Sequence, residues 1–93
     1  MALRFYQKTL AIDPDMAYLY SIHGQYKTAI EIYQKVLLLK PDYIDAYSGI
    51  ADAYYAIKDY PNALKSYQKI FQLDPGNQYA YHKIKILEKT TKE

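Results

Sequence analysis

The sequence predicts an all-α fold, an α-solenoid of about six helices stacked as antiparallel helix pairs, with one shortened repeat. Three observations predict it. One phrase occurs three times in 93 residues: ALRFYQKTLAIDPD at 2–15, AIEIYQKVLLLKPD at 29–42 and ALKSYQKIFQLDPG at 63–76. Each copy places its apolar residues at helical spacing and ends on a proline. No stretch shows the alternation of a half-buried strand. Repeats of this length are single supersecondary units that bury their apolar faces by stacking on neighbours.

The elements follow in order. Residues 2–12 read as a first helix, with Ala2, Leu3, Tyr6 and Leu10 on one face. Asp13-Pro14 ends it, because proline disfavours helical backbone in the residue before it. The same Pro14 suits the first turn of a second, short helix at 15–23, with Asp13 or Asp15 as cap. There Met16, Ala17 and Tyr20 share a face, and Gly24 is the expected left-handed stop. A third helix spans 26–39, with Ala29, Ile30, Tyr33, Val36 and Leu37 inward, and Lys40-Pro41 stops it. A fourth, at 43–57, packs through Tyr47, Ile50, Ala51 and Tyr54. Lys58-Asp59 forms the next turn, with Asp59 as N-cap and Pro61 tolerated in the first turn. A fifth helix, at 60–73, turns Ala63, Leu64, Tyr67, Ile70 and Phe71 inward. Asp74-Pro75-Gly76-Asn77 is a strong turn. The sixth runs over 78–90, with the final Thr-Thr-Lys-Glu frayed.

Composition narrows the function classes. The chain is of single-domain length, 51% hydrophobic and without cysteine, so it has neither a disulfide frame nor thiolate chemistry. Net charge is +2 with interleaved signs, which argues against nucleic acid or an anionic membrane as partner. No signal peptide and no run of membrane-spanning length is present, so no membrane insertion is expected and a cytoplasmic location is. There are 13 tyrosines and no tryptophan. Tyrosine suits half-buried helix interfaces and binding surfaces alike.

Counting from Tyr47, the chain carries Ile50, Ala51, Tyr54, Ala63, Tyr67 and Pro75. This spacing resembles the tetratricopeptide repeat, W-x2-L-G-x2-Y…A-x3-F…P over about 34 residues. Tyr stands for Trp, Ile for Leu, Ala for Gly and Tyr for Phe, and Pro41 and Pro75 lie 34 positions apart. The resemblance implies a right-handed solenoid covering nearly the whole chain. It divides residues 1–93 into a half repeat at 2–14, a shortened repeat at 15–41, a full repeat at 42–75 and a capping helix at 76–90. The physics agrees: Ala51 and Ala63 allow two helices to approach closely, and Tyr47, Tyr54 and Tyr67 fill the flanking space.

Two departures stand out. Pro14 to Pro41 is 27 positions, so seven residues are missing from the front of the second helix. That is about two turns, which rotates the face by only ~20° and preserves the inward stripe. The chain also begins in mid-repeat. The face of Leu3, Tyr6 and Leu10 then lacks its usual cover, which suggests a fragment of a longer array or self-association as a homodimer. At the other end, Tyr81 and Ile84 repeat the roles of Tyr47 and Ile50, while Lys85 and Glu88 stand where Ala51 and Tyr54 stand one repeat earlier, as a polar cap requires.

No catalytic motif is visible, and the chain is read as noncatalytic, with no cofactor and no metal. His23 and His82 lie on different helices. Asp13 and Asp15 are turn and cap residues, since Pro14 intervenes and calcium-loop spacing is absent. Lys83, Lys85, Lys89 and Lys92 read as a solvated cap. In arrays that this chain resembles, the first helix of each pair lines a concave groove that binds a peptide segment of another protein. Those stripes are Tyr18, Ser21 and Ile22 on the second helix. They continue as Asp45, Ser48, Gly49, Asp52, Tyr55 and Ala56 on the fourth, and Tyr79, His82, Lys83 and Ile86 on the sixth. Tyr55 and Tyr79 are the expected apolar anchors, and Asp45 and Asp52 favour a basic segment. Family members that grip chaperone C-terminal carboxylates use Lys and Asn on these stripes. Only Lys83 fits that pattern, so no carboxylate clamp is expected.

Overall fold

The computed structural model describes residues 14–92. The first helix expected from the sequence, with the candidate self-association residues Leu3, Tyr6 and Leu10, lies outside them. Among the described residues the fold is all-helical, with five helices: α1 Pro14–Ile22, α2 Tyr26–Leu39, α3 Ile44–Ala56, α4 Tyr60–Leu73 and α5 Gln78–Lys92. Short turns join them, so neighbours run antiparallel. Each helix packs on its neighbours in the chain, and α1 also reaches α3. The result is elongated, 52 × 27 × 16 Å, as a solenoid must be. Among the described residues no helix is long and apolar enough to cross a membrane.

The turns follow local chemistry. Gly24 ends α1 at φ +81°, and the Gln25 amide donates back to the Tyr20 carbonyl at 2.9 Å. Lys58, one repeat later, adopts the same left-handed backbone at φ 66°, and the Asp59 amide donates to Tyr54 at 2.9 Å. Asp59 then caps α4, accepting from the Asn62 amide at 3.4 Å and the Asn62 side chain at 2.8 Å. Before α3, the Tyr47 hydroxyl donates to the Pro41 carbonyl at 2.9 Å and braces the turn.

The core divides into two contiguous clusters. One joins Ala17 of α1, Ala29, Ile30, Tyr33 and Val36 of α2, and Ala46, Ile50 and Ala53 of α3. The other joins Ala51 of α3, Ala63, Tyr67 and Ile70 of α4, and Ala80 and Leu87 of α5. Tyr54 packs against both. Buried positions recur one repeat apart: Ala29 with Ala63, Tyr33 with Tyr67, Val36 with Ile70, Ala46 with Ala80 and Ala53 with Leu87. Alanine at Ala17, Ala46, Ala51, Ala63 and Ala80, each fully buried, lets the backbones approach closely.

Several expectations change. Met16 is exposed, on a flank of α1 that α2 and α3 leave uncovered. Phe71 lies at the surface beside Tyr81, ring centroids 6.4 Å apart, and is not an inward residue of α4. Tyr81 is 45% exposed; Ala80 and Leu87 point into the core instead. α5 packs mainly on α4, and that packing selects the stripe of Ala80, Ile84 and Leu87. The same helix continues through Lys92, two residues past the expected end at 90. Among the described residues α1 spans 9 residues and α3 spans 13.

Candidate functional site

α1 and α3 lie side by side, and the wall they share is concave. A cavity of about 330 Å³ opens there, lined by Asp15 and Tyr18 of α1, Tyr33 of α2, Tyr43 before α3, and Asp45, Ser48, Gly49 and Asp52 of α3. Its shape has a local cause. Asp45, Ser48, Gly49 and Asp52 recur at helical spacing and share one face. Gly49 has no side chain, and the Tyr33 ring occupies the space where a Cβ would project. The Tyr33 ring thereby forms the floor, with its phenol towards the cavity. Burial raises the Tyr33 phenol above its ordinary pKa, and the charges of Asp52 and Asp45 raise it further.

The rim is aromatic and acidic. Tyr18 is 61% exposed and Tyr43 is half-buried. Lys40 is the cation nearest in the chain, with Nζ 5.4 Å from the Tyr43 ring centre. No basic residue lines the cavity itself. The net positive charge of the chain is therefore not found in the lining of this cavity.

Asp52 links this cavity to α5. Its carboxylate Oδ1 accepts from the Tyr67 hydroxyl of α4 and from the Tyr79 hydroxyl of α5, the latter at 2.5 Å. The Tyr67 and Tyr79 rings meet edge to face at 5.9 Å. Burial, then the hydrogen bond to Asp52, pushes the Tyr79 phenol up to about 12, and the same causes raise Tyr67. Beyond Asp52 stands a second cluster. Lys83 Nζ lies 4.6 Å from the Tyr55 ring centre and 5.7 Å from that of Tyr79, and Tyr55 packs edge to face on Tyr60 at 5.6 Å.

The residues expected to line a groove thus fall into groups. Tyr18, Asp45, Ser48 and Asp52 meet at the cavity, and Tyr55, Tyr79 and Lys83 form the cation–aromatic cluster. Ser21 and Ile22 lie towards the end of α1, outside the cavity lining, with Ile22 exposed. His82 is exposed and sits against the Tyr81 ring at 5.9 Å. Tyr55 and Tyr79 are not vacant apolar surfaces, because Lys83 already covers them. Sequence reasoning assigned Tyr33 to packing alone, did not single out Tyr43, and took Asp15 as a cap only. The signal available for Tyr33 was Gly49, a residue without a side chain inside a helix, which leaves room for a ring from a facing helix. Among the described residues no group of three or more His, Cys, Asp or Glu side chains is placed to hold a metal ion.

Comparison with known proteins places these features. The tetratricopeptide repeat family model matches residues 22–85. No curated protein matches the chain. Among solved structures, the first tetratricopeptide domain of Spaghetti (RPAP3), bound to the HSP90 peptide SRMEEVD, is similar at TM-score 0.79 and 21% identity, covering 88% of this chain and 68% of that one. The tetratricopeptide domain of Sgt2 from Aspergillus fumigatus is similar at TM-score 0.79 and 22% identity, covering 99% of this chain and 67% of that one. With the family match across most of its length, the chain belongs to the tetratricopeptide repeat family.

Proposed function

We propose that this protein is a noncatalytic interaction module that takes a basic segment of a partner protein on its concave wall. One observation carries the reading: a concave cavity with Tyr18, Tyr33 and Tyr43 as ring surfaces, Asp45 and Asp52 as carboxylates, and no basic side chain in its lining. Ring faces and carboxylates are what a lysine or arginine side chain recognises. The similarity to a domain that holds a peptide supports peptide binding on this scaffold. The chemistry here is opposite, however. The SRMEEVD peptide is acidic, and it would meet like charge at Asp45 and Asp52.

Titration of the chain with a blocked arginine-containing peptide and with SRMEEVD tests this. The basic peptide binds more tightly, and the preference weakens as salt rises. Asp45→Asn weakens it by about threefold, the scale of one solvent-accessible ion pair. Equal or tighter binding of the acidic peptide overturns the proposal.

A further inference from the structure

We infer that the partner segment is bipolar: a basic side chain enters the cavity, and an acidic side chain about four or five residues away pairs with Lys83. The inference rests on the reading just given and adds the second charge and its spacing.

Lys83 is half-buried, and its ammonium lies over two rings, Tyr55 and Tyr79. Among the described residues no carboxylate pairs with it. The cation–π contacts fix the position of the charge without neutralising it. Tyr79 is itself held, because its hydroxyl is bound by Asp52. The lysine is therefore a positioned cation at one end of a wall whose other end is acidic. Lys85, by contrast, is shared between the Tyr81 ring and Glu88, at 5.5 Å and 3.9 Å. The two lysines face different fates on one helix.

The geometry sets the spacing. Asp45 sits in the first turn of α3 and Tyr55, under Lys83, in its last. At about 1.5 Å per helical residue, that stretch is ~15 Å long. An extended chain advances roughly 3.3 Å per residue and crosses it in four or five residues. Asp52 stands between the two ends, but both phenols of Tyr67 and Tyr79 donate to it, which reduces its pull on a ligand cation. The acidic character of the wall thus weakens towards Lys83, and the polarity of the groove is graded along α3.

Selection of a random peptide display library on the intact chain tests this. Enriched peptides carry Arg or Lys with Asp or Glu about four or five residues away. Selection repeated on Lys83→Glu, with helicity checked by circular dichroism, loses the acidic position and retains the basic one. For one enriched peptide, replacing its acid by the amide weakens binding to the native chain about threefold and leaves binding to Lys83→Met unchanged. Enrichment of basic peptides without a spaced acid overturns the inference and leaves the basic-segment reading standing. Enrichment of acidic peptides only, or of none, overturns both.

Discussion

The Tyr33 ring rests on the bare backbone of Gly49, where a Cβ would overlap the phenol end of the ring. Tyr33 comes from α2 and is only 6% exposed, so it has little room to withdraw. This contact holds α2 and α3 close and shapes the cavity floor. In an ordinary helix, Gly→Ala gains about 1 kcal/mol. Here overpacking costs about 1–3 kcal/mol and dominates. Gly49→Ala should therefore lower the melting temperature and reduce peptide affinity together. A higher melting temperature would show that the ring moves aside at no cost.

Tyr79 supplies a prediction at alkaline pH. Its phenol, ordinarily near 10, is pushed up to about 12 in the folded chain by burial and by the Asp52 carboxylate. The folded state therefore keeps the proton in a range where the unfolded state has lost it. The stability that this bond contributes is present below about pH 10 and is lost as pH rises towards 12. Melting curves across this range should fall less steeply for Tyr79→Phe than for the native chain. Equal slopes would mean that the Tyr79–Asp52 hydrogen bond does not form in solution.

On α5, Leu87 and Tyr81 make a paired test. Leu87 is fully buried, and Tyr81 is 45% exposed. Leu87→Ala should cost about 2–5 kcal/mol, through lost burial and the cavity left behind. Tyr81→Ala should cost less than about 1 kcal/mol, its contacts with Phe71 and Lys85 being at the surface. Urea unfolding of both variants decides, and the reverse order would restore Tyr81 to the inward role expected from the sequence.

Lys58 offers a gain of stability. It holds φ 66° at the end of α3, in the position that Gly24 fills after α1. Left-handed backbone costs a residue with a Cβ about 1 kcal/mol or more, and glycine avoids that cost. Lys58→Gly should stabilise the chain by about 0.5–1 kcal/mol in urea unfolding, after the extra unfolded-state freedom of glycine is subtracted. A destabilised variant would show that the lysine stem contributes packing at this turn.

Much of the frame was legible in the residues. The expected helix at 26–39 coincides with α2, and that at 60–73 with α4. The Gly24 stop and the Asp59 cap also form as expected. These features depend on neighbours a few residues away, so local text suffices. Phe71 and Tyr81 were misplaced because a helix with apolar residues on two flanks leaves its rotation open. For α5 that rotation is set by its packing on α4, with Ala51 of α3 in the same core cluster.

The candidate site divides along the same line. Asp45, Ser48 and Asp52 share one face of α3 because helical spacing requires it, and the sequence alone determined that stripe. Whether a stripe becomes a cavity depends on the facing element. Tyr33 reaches the site from α2, Tyr18 from α1, and Tyr79 comes from α5 to donate to Asp52. The sequence by itself determined the repeat, the helix order and the turns among the described residues, because each follows from short-range spacing and backbone restriction. Only the tertiary structure decided that Gly49 accepts the Tyr33 ring, that Lys83 covers Tyr55 and Tyr79, and that the acidic wall and the held cation belong to one surface. Those relationships join residues from different helices, and close packing between helices, not periodicity within one, sets which side chains meet.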